Sequence, residues 1–152
     1  MIENGNDRNE EMPVVLYTSP DGKVTVNALV KDETLWMTQM ALAELFGCTL
    51  ENVIMHLKNI YSEQELQDSA TTKEFLVVRT EGTRQVSRSI KHYNLDAIIA
   101  VGYRVNSRRA TQFRIWATSI LFNRTQKIIS DFDREVKRLL DGDKPDSGKR
   151  GK

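Results

Sequence analysis

The stretch QMALAELFGCTLENVIMHLKNIY, from Gln39 to Tyr61, decides how the chain is read. Leu42 and Phe46 lie one helical turn apart, and Gly47 follows them where a tight turn favours positive φ. Thr38 and Thr49 stand where N-caps belong, ahead of helices over about 38–46 and 50–60. Val53, Leu57 and Ile60 then fall at i, i+4 and i+7, a single inward stripe, and Ala43 is small where two helices must approach. This spacing predicts a helix-turn-helix-like segment at about 38–60. Thr49, Glu51, Asn52, Met55, His56, Lys58 and Asn59 lie off the stripe and become candidates for a major groove. Asparagine suits adenine and glutamate accepts from cytosine, whereas Thr49 and Lys58 suit phosphate. The same pattern also fits an ordinary helical hairpin in a mixed domain.

Outward from this segment the periodicity changes. VVLYTSPDGKVTVNALVKDETLWMT alternates apolar and polar residues around Pro20-Asp21-Gly22, which predicts strands near 14–18, 23–30 and 34–36. After the polar link SEQELQDSATTKE, the stretch FLVVRTEGTRQVSRSIKHY reads as a second hairpin about Glu81-Gly82-Thr83. Asn94 caps a helix over about 95–103, with Leu95, Ile98, Ile99 and Gly102 on its apolar side. Ser107 caps another through Phe113, Ala117, Ile120 and Leu121. Ile128, Phe132, Val136 and Leu139 continue that pattern unless Asn123-Arg124-Thr125-Gln126 interrupts it. The stripe is not a clean heptad; it fits packing within the fold and leaves room for a homodimer through the C-terminal helix. The fold class is therefore α+β: an N-terminal β-hairpin, the helix-turn-helix-like segment, a second β-hairpin and C-terminal helices. Composition makes 1–12 and 141–152 disordered ends around a domain at 13–140.

Net charge is only +1 over 152 residues, but its distribution is uneven. Residues 1–75 hold five basic and thirteen acidic side chains, whereas 76–114 hold eight basic and two acidic. Such asymmetry fits either a nucleic-acid face or two parts that pair with each other. The helix after Gly47 carries only Glu51 and Lys58, so attraction to phosphate must come from elsewhere. Arg79, Arg84 and Arg88 on the second hairpin are one source. Arg104, Arg108 and Arg109, around the Asn106-Ser107 helix start, are another, because helix N-termini favour anions.

Several function classes find no support in the residues. His56 and His92 are the only histidines and lack metal-site spacing, and one cysteine makes neither a disulfide framework nor a cysteine zinc site. There is no glycine-rich phosphate loop and no nucleophile elbow, so the chain reads as a non-enzyme without cofactor or metal. Cys48 suits a small packing role. The acidic, polar start is no secretory signal and no apolar run approaches a membrane span, which points to the cytoplasm and to no membrane partner. Duplex DNA is the expected partner. The competing expectation is a protein-interaction adaptor or antirepressor-like module that does not touch DNA.

The segments VVLYTSPDGKVTV, DETLWMTQ, ALAELFG, HLKNIY and KHYNLDAIIAVGYRVNSRRATQFRIWAT together resemble the virulence RhuM family, over roughly residues 14–121. The resemblance implies a bacterial protein of pathogenicity islands or other mobile or accessory loci. It also implies a DNA-binding role through the same helix-turn-helix-like segment. Many relatives continue into a long C-terminal part, and after Leu121 this sequence departs from the resemblance.

Overall fold

A computed structural model describes residues 13–143. Residues 1–12 and 144–152, read above as disordered ends, lie outside the described residues, while Asp141–Asp143 continue the last helix. The strands are β1 (Val14–Thr18), β2 (Thr25–Lys31), β3 (Thr34–Met37), β4 (Thr72–Glu81) and β5 (Arg84–Asn94). The helices are α1 (Gln39–Phe46), α2 (Leu50–Ser62), α3 (Asp68–Thr71), α4 (Leu95–Val105) and α5 (Ser107–Asp143). The fold is α+β, as the sequence predicts. Two compact units divide α5, at 1–115 and 116–152.

The first unit is built on one antiparallel sheet in the order β1-β2-β3-β5-β4. Asp32 and Glu33 both take positive φ (56° and 64°), as a two-residue hairpin turn between twisted strands requires. Gly82 does the same with φ 65° at the tip of the second hairpin. Side chains alternate across the sheet. One face carries Tyr17, Val26, Ala28, Val30, Leu35, Met37 and Tyr93, all buried. Leu42, Phe46, Val53, Leu57 and Ile60 of the first two helices are buried as well, and so are Ala97, Ile98 and Val101 of α4. Phe113 closes this core edge-on to Tyr17, with ring centroids 5.0 Å apart.

The helix ends follow local chemistry. Thr38 and Thr49 accept backbone N–H groups from Ala41 and Asn52, each at 3.1 Å, and Asn94 accepts from Ala97 at 3.1 Å. Gly47 adopts φ 69° and its N–H returns to the Ala43 carbonyl. The cap of α5 differs from expectation: Asn106, not Ser107, accepts the Arg109 N–H at 3.2 Å. The buried stripe of α4 also differs. It runs through Ala97, Ile98, Val101 and Gly102, and leaves Leu95 and Ile99 half-buried. The polar link after α2 contains the single helical turn α3. Thr71 there donates to the Gln67 carbonyl and accepts from the Tyr61 hydroxyl, both at 2.8 Å.

The opposite face of the sheet holds a smaller cluster. Phe75 lies edge-on to both Trp36 (5.5 Å) and His92 (5.2 Å), and all three are buried. His92 Nδ1 lies 2.8 Å from the Ile90 carbonyl. Burial holds the His92 pKa below its ordinary 6.5, against the opposing pull of that carbonyl. As pH falls through that value, the unfolded chain therefore takes up the proton first. Stability should be full above about pH 6.5 and decline as pH drops towards the folded-state pKa. Melting curves between about pH 7 and pH 5 should show this decline in the parent and a flatter profile in His92→Phe. Parallel profiles for the two proteins would contradict it.

Candidate nucleic-acid interface

A three-residue connection, Gly47 to Thr49, joins α1 and α2, two helices set at 108°. Burial of Val53, Leu57 and Ile60 fixes which side of α2 faces the core. Thr49, Glu51, Asn52, Met55 and Lys58 are exposed, and His56 and Asn59 are half-buried at the edge of that face. Leu50 and Ile54 are also exposed, so the outward surface is mixed apolar and polar with almost no net charge. The Thr49 hydroxyl already accepts one backbone N–H, and its proton remains available to an acceptor.

β4 and β5 form a long two-stranded ribbon that is buried only near its base, at Phe75, His92 and Tyr93. Lys73 pairs with Asp32 (2.7 Å) and Lys91 with Asp68 (3.3 Å), tying that base to the β2–β3 turn and to α3. The register sets Glu81 opposite Arg84, Arg79 opposite Val86 and Val77 opposite Arg88. Directly opposed residues share a face, so Arg79, Arg84 and Arg88 all stand on one side of the ribbon. Arg88 is held by two N–H groups to the Glu81 carboxylate, at 2.9 to 3.1 Å. Arg79 and Arg84 are exposed, and no hydrogen bond or ion pair engages them among the described residues. Arg79 lines a cleft of about 360 Å³ whose walls include Met40 and Glu44 of α1 together with Trp36 and His92. The free end of the ribbon thus begins beside α1.

The arginines around the start of α5 occupy three different settings. Arg104 reaches Glu63 (2.9 Å) and Glu65 (2.8 Å), which ties α4 to the segment after α2. Arg109 donates to the Leu45 carbonyl at 3.2 Å, near the end of α1, and so serves packing. Arg108 is exposed and unengaged among the described residues. Arg108 and Arg109 share a cleft with Asp21, whose carboxyl is held below its usual range chiefly by the Lys23 N–H and the Ser19 hydroxyl. A carboxylate already in that cleft works against a phosphate there. Only Arg108 of the three keeps its charge free for a partner. Sequence periodicity carries no signal for these pairings, because the partners lie about 40 to 64 residues apart, as the separations themselves record.

Other chemistry is sparse. No group of three or more metal-ligating side chains occurs among the described residues. Burial pushes the Cys48 thiol up, away from the thiolate a nucleophile needs. No single helix among the described residues is long and apolar enough to cross a membrane.

Fold and surface together define an α+β protein in which a helical pair and an arginine-bearing ribbon stand on one antiparallel sheet. The chain belongs to the Virulence protein RhuM family, whose model matches residues 70–145. The match takes in the ribbon, α4 and all of the described part of α5. Against the resemblance over roughly 14–121, it begins only at 70, leaving β1 to α2 outside it, and extends well past Leu121. No curated protein and no solved structure matches the chain.

Proposed function

We propose that this chain is a cytoplasmic DNA-binding protein, a regulator of transcription or of a mobile element, in which α1 and α2 act as a helix-turn-helix. The observation that carries the reading is the helical pair. An angle of 108° across a glycine turn is what such motifs use, and α2 keeps Thr49, Glu51, Asn52, Met55 and Lys58 free on the side away from its buried stripe. Asn52 is the residue best suited to read a base, by the paired contacts an amide makes with adenine. Arg79 and Arg84 supply phosphate contacts from the ribbon, and Lys58 on α2 and Arg108 at the start of α5 add two more cations.

Four such cations predict a salt slope of about −3.6 in a plot of log K against log salt, since each phosphate contact contributes about 0.9. Affinity for duplex, read by fluorescence anisotropy, should fall about a hundredfold between roughly 50 and 200 mM salt. Absence of binding to any duplex at the lower salt would overturn the reading. The adaptor or antirepressor-like alternative draws on one observation, the engagement of Arg104 by Glu63 and Glu65, which commits part of the basic charge to an intramolecular surface ion pair. That alternative takes over if the titration fails.

A further inference from the structure

The second unit holds the remainder of α5, and this part of the helix is unusual for how much apolar surface it leaves in water. The polar stretch Asn123-Arg124-Thr125-Gln126 does not interrupt α5, which is continuous from Ser107 to Asp143. Continuity puts Phe122 and Thr125 in line with the residues beyond them. Phe122, Ile129 and Val136 recur every seven residues, and Thr125, Phe132 and Leu139 recur every seven, three positions later. These are the a and d positions of a coiled coil, a heptad frame that the stripe Ile128-Phe132-Val136-Leu139 alone does not show, and only Thr125 among the six is polar. Phe122 (58%), Phe132 (66%), Leu139 (57%) and Leu140 (60%) are more than half exposed. The opposite side carries Arg124, Lys127, Asp131, Arg134, Lys137 and Arg138, with Lys127 and Arg134 both paired to Asp131.

We infer that this helix pairs with the same helix of a second copy, as an antiparallel two-stranded coiled coil over Phe122 to Leu139. The first support is area. Six exposed apolar side chains per chain (Phe122, Ile128, Ile129, Phe132, Val136 and Leu139), at about 100 Å² each, offer roughly 1,200 Å² from two chains, at the lower end of the range of about 1,200–2,000 Å² that stable interfaces bury. The second is complementarity of size. A parallel pair would stack Phe122 on Phe122, Phe132 on Phe132 and Thr125 on Thr125. An antiparallel pair sets Phe122 against Leu139, Thr125 against Val136 and Ile129 against Phe132, so that large and small alternate across the seam. The third is charge. Asp133 and Glu135 are the only charged side chains beside the seam, and the antiparallel register sets them opposite Gln126 and Ile128, so no like charges meet.

Light scattering at micromolar concentration should give the mass of two chains, and Ile129→Asp with Phe132→Asp should give one. Both positions are exposed, and circular dichroism of the variant should retain the strand signal and cooperative melting of the sheet unit. A single-chain mass for the parent would overturn the proposal. Orientation is read by oxidation in a Cys48→Ser background. A mixture of Thr125→Cys and Val136→Cys proteins should form a disulfide between the two variants, and neither alone should do so efficiently. Efficient self-linking of Thr125→Cys would overturn the antiparallel register.

Discussion

Replacing Gly102 by alanine is expected to destabilise the sheet unit by about 2 kcal/mol, although the same change in an open helix interior stabilises by about 1 kcal/mol. A methyl group at this position would sit 2.5 Å from Phe46 Cζ, 2.7 Å from Phe46 Cε1 and 2.8 Å from Ala110 Cβ. Those distances are well inside van der Waals contact. Phe46 and Ala110 are themselves buried, so neither can swing into solvent. The glycine thus lies where α4, the end of α1 and the start of α5 approach closely. Urea denaturation should show a lower midpoint with an unchanged slope. Combining Gly102→Ala with Phe46→Leu should recover part of the loss relative to the sum of the single changes, because the smaller side chain makes room. An alanine variant as stable as the parent would show that the core is not packed this tightly.

The second large effect concerns binding. Arg79→Glu with Arg84→Glu should weaken association with any duplex by about 100-fold near 0.1 M salt. Each phosphate contact contributes about 0.9 of a log unit at that salt, and reversal adds repulsion to the loss. The salt slope should become shallower by about two. Both side chains are exposed, so thermal stability should barely move. Arg104→Ala is the internal control. Its guanidinium is already engaged by Glu63 and Glu65, so duplex affinity should stay within error of the parent. Equal weakening by both variants would show that the ribbon has no special part in binding.

The elements legible in the sequence are those set by local chemistry. Thr38, Thr49 and Asn94 cap the helices the pattern assigns to them, and Gly47 turns between α1 and α2, because each needs only neighbours within five residues. The stripe Val53-Leu57-Ile60 was legible for the same reason. The stripe of α4 was less so. Burial there includes Ala97 and Val101 and leaves Leu95 and Ile99 half-buried, so the face is turned from the one the largest apolar residues suggest. The arginines were the hardest. Composition gathers Arg104, Arg108 and Arg109 into one basic cluster, and tertiary contacts split it into an ion-pair partner, a packing donor and one free cation. On the ribbon the reverse holds. Arg79 and Arg84 come together only through the hairpin register, which the two-residue turn at Gly82-Thr83 fixes.

Hydrogen exchange with and without saturating duplex tests the central claim most directly, because it reports where the nucleic acid sits as well as whether it binds. Amides of α2 from Leu50 to Ser62 and of the ribbon from Val77 to Arg88 should exchange more slowly in the complex, while β1 and the distal part of α5 should be unchanged. Protection confined to other segments, with α2 exchanging at its free rate, would contradict the assignment of α2 as the base-reading helix.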